Sequence, residues 1–250
     1  MRIAVMADIH GNLPALEAVL ADLKARGGAD LLVDLGDRAS GPLWPRETLE
    51  RLAGVDCVAV RGNHDRQVAT LAPERMNASD RYTLEEITDA QRQALGALPE
   101  QVRIAEAILA LHASPASDTA YLLDRIDKGR LVRDRMEDIE ARLGEVEGAR
   151  LVLTAHSHRA DMVRLPGGMT VINPGSVGCP AYDDDEPPHV SESGSPHARY
   201  ALVTPGGADE LPEVDFVAVR YAFEAAARRA EANERFEWAH ALRTGFMPFA

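Results

Sequence analysis

Residues 3–10 read IAVMADIH, and two later stretches have the same plan: residues 31–37 read LLVDLGD and residues 56–65 read DCVAVRGNHD. In each stretch a short apolar run gives way to small and polar residues, which is typical of a buried strand that ends in a loop. We therefore predict strands over residues 3–7, 31–35 and 56–60.

Helices are predicted between these strands. Asn12 is placed to cap the first helix, Pro14 lies in its first turn, and leucines recur at spacings of three and four up to Gly27. A second helix is predicted over residues 46–52. Because strands and helices alternate, we expect a buried parallel sheet with right-handed crossovers.

The rest of the chain predicts further elements of both kinds and no internal repeat, so one α/β domain over residues 1–250 is expected. Residues 183–196 contain four consecutive acidic residues followed by prolines, serines and a glycine, and we predict a flexible surface loop there. Helices are expected over residues 82–98, most of 118–143 and 223–242, and strands over 102–111 (a pair), 151–153, 169–172, 199–203 and 211–220.

Composition excludes several classes of protein. With 46% hydrophobic and 27% charged residues, the 250-residue chain resembles neither a disordered protein nor a collagen. A net charge of −13 argues against broad binding to duplex nucleic acid or to anionic membranes. Cys57 and Cys179 alone form no disulfide framework, and no apolar run reaches the roughly 18 residues of a membrane span. We expect a cytoplasmic protein.

The histidines occupy a notable position. Five of the eight follow a predicted strand or lie in its terminal loop, where acidic and amide side chains also occur. Ligand sites in open α/β sheets lie outside the carboxyl ends of the strands. The side chains expected to converge there are Asp8, His10, Asp37, Asn63, His64, His112, His156 and His158.

Each motif is weak by itself, but the ordered set indicates a metal site. A pair of divalent cations about 3.5–4 Å apart needs many ligands and a bridging carboxylate, and it can grip a phosphate ester and activate a water. Mixed imidazole and carboxylate ligands suit Mn, Fe or Zn better than Ca or Mg. A single non-haem iron is an alternative, but it leaves Asn63 and several histidines unexplained.

The motifs resemble those of the calcineurin-like metallophosphoesterase superfamily, and most closely its small bacterial and archaeal phosphodiesterase-type members. The blocks are Asp8-Ile9-His10, Gly36-Asp37, Gly62-Asn63-His64-Asp65, a lone His112, and Ala155-His156-Ser157-His158. The Asn173–Gly178 stretch and the Gly41-Pro42 turn add to the resemblance. It implies a four-layer αββα sandwich of two mixed sheets flanked by helices, with a short helical cap at about residues 71–99.

The resemblance also implies a role for each residue. One metal would be held by Asp8, His10 and His158, the other by Asn63, His112 and His156, with Asp37 bridging them; His64 would act as a general acid or charge stabiliser, oriented by Asp65. The two divalent ions are expected to be Mn, with Fe, Zn, Ni and Co as alternatives. The implied activity is hydrolysis of phosphate esters by metal-activated water.

Several questions stay open at this point. Arg38 is expected either to contact the substrate phosphate or to pair with a nearby carboxylate. Cys179 is expected to pack in the core, although a thiol near metals could be oxidised. Phosphodiesters or nucleotides are the expected small substrates; dinucleoside polyphosphates, phosphoproteins and a non-catalytic scaffold of the same fold are alternatives.

Overall fold

The computed structural model describes residues 1–207 and 210–248. Its first sheet contains the strands β1 (Ile3–Met6), β2 (Leu31–Asp34), β3 (Val58–Ala59), β13 (Ala198–Thr204) and β14 (Glu213–Val219). They lie in the order β14-β13-β1-β2-β3. Strand β1 pairs in parallel with β2, and β2 with β3, whereas β13 joins β1 and β14 in antiparallel fashion.

The second sheet is also mixed and contains the strands β4 (Gln101–Ile104), β5 (Ile108–Leu111), β8 (Leu151–Leu153), β9 (Asp161–Arg164) and β10 (Thr170–Asn173). They lie in the order β4-β5-β8-β10-β9. The central strands β5, β8 and β10 are parallel, and the two outer strands run antiparallel to their neighbours.

Side-chain alternation in the strands produces four layers. Ile3 and Val5 point from β1 into an apolar core shared with Ile108 and Leu153 of the second sheet. The opposite face of the first sheet packs on helix α1 (Leu13–Ala25) and on Leu52 of α2 (Pro45–Ala53). The outer face of the second sheet packs on α6 (Met136–Leu143). The αββα sandwich is therefore confirmed.

The remaining helices lie in two groups. Residues 63–96 form α3 (Asn63–Thr70), α4 (Ala78–Glu86) and α5 (Asp89–Gly96), and the C-terminal part forms α7 (Phe223–Ala232) and α8 (Phe236–Thr244). The single helices predicted over 82–98 and 223–242 are thus each interrupted. Thr88 caps α5 in a capping box with Gln91, which forces the first break. No helix in the described parts of the chain is long and apolar enough to cross a membrane.

Two predictions about the later chain were wrong. Most of residues 118–143 is not helical, because β6 (Asp124–Asp127) and β7 (Arg130–Arg133) form a hairpin closed by Lys128 and Gly129, both at positive φ. Residues 183–196 are not a simple loop, because β11 (Ala181–Asp185) pairs with β12 (Pro188–Glu192). These hairpins join as a small third sheet, β11-β12-β7-β6.

Candidate metal centre

All seven candidate ligands lie just after the carboxyl ends of strands, six of them in loops and Asn63 at the first position of α3. Asp8 and His10 follow β1, Asp37 follows β2, Asn63 follows β3, His112 follows β5, and His156 and His158 follow β8. Five of them have left-handed backbone angles, with φ of 54° at Asp8, 50° at His10, 56° at Asp37, 69° at His156 and 58° at His158. Non-glycine residues rarely adopt this conformation, and its concentration in one place is characteristic of functional sites.

Two glycines allow the turns after β2 and β3 to approach each other. Gly36 has a φ of 96°, and a Cβ atom there would overlap the backbone nitrogen of Gly62. A Cβ atom on Gly62 would in turn overlap the carboxylate of Asp37. Only glycine therefore lets Asp37 lie against the start of α3, where the backbone N–H of His64 donates to its Oδ1 at 2.9 Å.

Hydrogen bonds to backbone carbonyls fix the orientation of four imidazoles. The Nδ1 atoms of His10, His112 and His158 lie 2.6, 2.7 and 2.7 Å from the carbonyl oxygens of Ser40, Leu35 and Cys179. His156 instead places Nε2 3.0 Å from the carbonyl oxygen of Thr119. Because each of these nitrogens donates a proton, the other nitrogen of each ring is left to bind a cation.

The ligating atoms converge. His10 Nε2 lies 3.2 Å from His158 Nε2, and His158 Nε2 lies 3.6 Å from Asp8 Oδ1. Asp37 Oδ2 lies 3.9 Å from His10 Nε2 and 3.4 Å from His112 Nε2. The structure therefore brings the predicted ligands on β1, β2, β5 and β8 into one cluster.

The cluster contains three groups of side chains whose ligating atoms lie within 4.8 Å of one another. They are Asp8/His10/Asp37, Asp37/His112/His156 and His10/His158/Cys179. Asp37 belongs to two of them. Asn63, the seventh candidate, adjoins the second group, with its Oδ1 2.9 Å from His112 Nε2.

These residues fit divalent metal ions. Asp8 is fully buried, and neither of its carboxylate oxygens has a hydrogen-bond partner among the residues that the structure describes. The Nε2 atoms of His10 and His158 face each other at 3.2 Å while both Nδ1 atoms donate elsewhere, so two lone pairs oppose each other. A cation between such acceptors removes the cost of burying them. Imidazole and carboxylate ligands suit Mn, Fe, Co, Ni or Zn.

The charges of the cluster are set by burial and by Asp37. Burial lowers the pKa of His10 to about 4 and that of His156 to about 3, so both rings are neutral at neutral pH. Burial also acts on Asp37, but the charges of His112 and His64 outweigh it and hold the pKa of this carboxyl well below its usual range. An ionised, buried Asp37 is suited to attract cations.

His64 is oriented by a residue other than the predicted one. Its Nδ1 lies 2.8 Å from Asp80 Oδ1 on α4, which also accepts from the Ser40 hydroxyl at 2.6 Å. Burial would lower the pKa of His64, but Asp80 and Asp37 raise it to about 10. The His64–Asp80 pair therefore keeps a proton on the imidazole in the metal-free chain.

The prediction that Asp65 orients His64 was wrong. The Asp65 carboxylate accepts hydrogen bonds from the backbone N–H groups of Gly62, Asp37 and Arg38, at 3.0, 2.9 and 3.1 Å. Asp65 lies at the third position of α3 and points back toward the turn, as in a capping box. It therefore fixes the two loops that carry Asp37 and Asn63.

Arg38 turns away from the centre. Its Nε lies 2.8 Å from Asp34 Oδ2, and it also contacts Cys57 Sγ at 3.7 Å. Arg38 does not line the cavity described next, so of its two predicted roles the structure supports the ion pair with a carboxylate. Cys179 is buried as expected, although it lies beside His10 and His158.

A cavity of about 750 Å³ opens over the cluster. Its floor includes His10, Asp37, Asn63 and His64, and its walls come from α4, the β11–β12 hairpin and the start of α8. The prediction of a helical cap stays a prediction, but residues 77–79 of that segment do line the cavity.

Sequence reasoning missed several residues of this wall. Tyr121 stacks on His156 with ring centroids 4.8 Å apart, and its hydroxyl lies 2.8 Å from both the Tyr182 hydroxyl and His189 Nε2. His189 is 5% exposed, so it is part of the wall. No local pattern identified these residues or Asp80. Tyr182 and His189 reach the centre from the third sheet, Tyr121 from the loop before β6, and Asp80 from α4.

Comparisons with known proteins agree with this geometry. The family model for the calcineurin-like phosphoesterase superfamily domain matches residues 1–191. A Methanocaldococcus jannaschii protein designated MJ0912 is 29% identical over 202 residues, which cover 71% of this chain and 76% of that protein. The Escherichia coli phosphodiesterase YfcE is 44% identical over 78 residues, which cover 27% of this chain and 42% of YfcE.

A crystal structure of a metallophosphoesterase from Sphaerobacter thermophilus shares the fold, with a TM-score of 0.67 and 22% identity over 96% of this chain and 99% of that one. The fold, the buried cluster and these matches define a metal-dependent phosphoric ester hydrolase. The chain belongs to the calcineurin-like phosphoesterase superfamily.

Proposed function

We propose that the chain hydrolyses phosphodiesters at a centre of two divalent metal ions. The observation that carries this proposal is the position of Asp37, which lies within 4.8 Å of ligating atoms in two separate groups. A carboxylate shared in this way is what a pair of ions requires. We expect Asp8, His10 and His158 to hold one ion, and Asn63, His112 and His156 the other. Mn is the first candidate, with Fe, Zn, Ni and Co as alternatives.

The bound ions would polarise the phosphate ester and lower the pKa of the attacking water. The chain itself orients the groups around the reacting phosphate. His64 lines the cavity, and its Nδ1 is engaged by Asp80, so its Nε2 is the atom that can hold a proton for the leaving oxygen. Asp65 and Gly62 keep Asp37 in place.

A hydrolysis assay tests this proposal. Protein stripped with a chelator is reloaded with Mn, Ni, Co or Zn and incubated with bis-p-nitrophenyl phosphate. We expect metal-dependent release of p-nitrophenol. No turnover with any of these ions would contradict the proposed activity.

The number of ions is tested separately by elemental analysis. We expect two ions per chain in the loaded protein, and the loss of at least one in Asp37→Ala. Full occupancy in that variant would contradict the shared position of Asp37. The YfcE match covers 27% of this chain, and it favours diesters because YfcE is a phosphodiesterase.

A further inference from the structure

The cavity over the metal centre has an acidic outer wall. Strand β11 and the turn after it contribute Asp183, Asp184, Asp185 and Glu186, all of which line the cavity and are exposed. None of these four carboxylates forms an ion pair with any residue in the described ranges 1–207 and 210–248. These four charges along the cavity lining are therefore not compensated by a neighbouring cationic side chain in the described part of the chain.

The other residues that line the cavity do not balance this charge. Arg235 is the only arginine or lysine among the described residues that line the cavity, and its Nε is bonded to the Glu237 carboxylate, which lines the same cavity. The arginine is thus already paired. Outside the metal centre, the cavity holds five carboxylates (Asp183, Asp184, Asp185, Glu186 and Glu237) and one guanidinium.

The acidic wall lies close enough to act on the centre. Tyr182, the residue before Asp183 on β11, packs its ring against that of His158, with ring centroids 4.6 Å apart. The Debye length is roughly 8 Å at physiological salt, so solvent ions screen charges that line the same cavity only partly. The floor would be positive when loaded with cations, whereas the outer cavity is negative.

We propose that this wall selects phosphodiesters whose second alcohol group is uncharged or cationic, and that it discriminates against polyphosphates and other substrates with additional negative charge. This inference rests on the proposed function. The scissile phosphate would lie at the floor, and the group attached to it would extend along β11. A substituent with further phosphates or a carboxylate would face the four unpaired carboxylates, which weakens its binding.

Three diesters with the same leaving group test the proposal. Each carries p-nitrophenol and a second phenol that is unsubstituted, bears a carboxylate, or bears a trimethylammonium group. At low ionic strength we expect kcat/KM to fall in the order cationic, neutral, anionic, with a total range of about tenfold or more, expressed mainly in KM. Added salt should narrow this range.

The decisive variant replaces the wall charges by Asp183→Asn, Asp184→Asn, Asp185→Asn and Glu186→Gln. A matched control makes the same change in net charge at exposed acids outside the cavity, by Glu47→Gln, Glu50→Gln, Glu145→Gln and Glu147→Gln. We expect the wall variant to lose most of the discrimination and the control to retain it. Equal rates for the three diesters in the native protein, or equal discrimination in the two variants, would overturn the proposal.

Calorimetry with the three compounds on metal-loaded protein separates this inference from the proposed function. If no diester is hydrolysed but binding still follows the charge order and depends on the wall, the proposed function fails and the acidic selection stands. If all three are hydrolysed without a charge order, the function stands and the selection fails.

Discussion

A single substitution at Asp80 tests whether this residue positions the His64 imidazole without contributing to metal binding. In Asp80→Asn the amide still occupies the site beside Nδ1, but the negative charge that favours a protonated imidazole is lost. We expect kcat toward bis-p-nitrophenyl phosphate to fall by about 10–100-fold, with more effect on poorer leaving groups and no change in metal content. Steady-state kinetics and elemental analysis check this result.

Asp65→Asn is the matched comparison. Its carboxylate accepts three backbone N–H groups in the loops around Asp37, so we expect this variant to lose metal and thermal stability together. If Asp80→Asn lost metal to the same extent as Asp65→Asn, the positioning role of Asp80 would be contradicted.

Among single residues, the metal ligands could be predicted from the sequence, but the carboxylates that pair with His64 and Arg38 could not. Asp8, His10 and Asp37 stand directly after apolar strands, so their meeting follows from the parallel sheet alone. Asp80 lies in α4, and its contact with His64 depends on how that helix docks. An ion pair of Arg38 with a carboxylate was one of the two predicted roles, but its partner Asp34 could not be identified from sequence, because Asp34 lies within a predicted buried strand.

The turn that joins β3 to α3 can be tested as an element. Gly62 is the N-cap of α3, and a methyl group there would overlap the Asp37 carboxylate. We expect Gly62→Ala to displace Asp37, to lower the metal content below two ions per chain, and to destabilise the protein by about 1–3 kcal/mol.

Gly54→Ala is the control for this change. Gly54 ends α2 with a φ of −97°, and its Cβ would meet only the Arg51 carbonyl oxygen, at 3.7 Å. This variant should keep its metal and its stability. Metal analysis and thermal unfolding of both proteins check the prediction, which full metal occupancy in Gly62→Ala would contradict.

Among the elements, strands β1, β2 and β8 could be predicted from the sequence, but the β6–β7 and β11–β12 hairpins could not. Buried parallel strands are almost wholly apolar, as Ile3–Met6 shows. Strand β11 is acidic from Asp183 onward, β6 is charged at three of its four positions, and β7 carries an arginine at each end, so none of the three shows the alternation of a half-buried strand. Lys128-Gly129 was the one local signal of a turn in the region predicted as helix.

The architecture as a whole depends on pairings that no local pattern contains. Strand β13 lies between β14 and β1, although almost 200 residues separate it from β1 in the chain. The alternation of Ile3 and Val5 toward one face indicates a second layer but does not identify it as β5 and β8. The resemblance to a known family supplied that step.

The stability of the whole molecule depends on the protonation of the histidines around the buried Asp37 carboxylate. Burial opposes protonation of His112, but Asp37 and then Asp8 outweigh it and raise the pKa of His112 to about 9 in the metal-free chain. His64 is raised to about 10 by Asp80 and Asp37 in the same way. In the metal-free chain, the protonated imidazoles of His112 and His64 thus balance the charge of Asp37, as bound cations would do in the loaded protein.

Metal-free and metal-loaded protein should therefore respond to alkaline pH in opposite ways. The pKa of histidine in the unfolded chain is about 6.5, so the stability that His64 and His112 contribute to metal-free protein is complete below that pH and is lost as the pH rises to 9 and 10. Cation binding requires a neutral His112, so stabilisation by metal grows over the same range. We expect the melting temperatures of the two forms to diverge by roughly 5 °C or more between pH 7 and 9.

Circular dichroism of chelator-treated and reloaded protein measures this divergence, and His112→Gln should reduce it. Parallel pH curves for the two forms would show that protons and cations do not compete at Asp37.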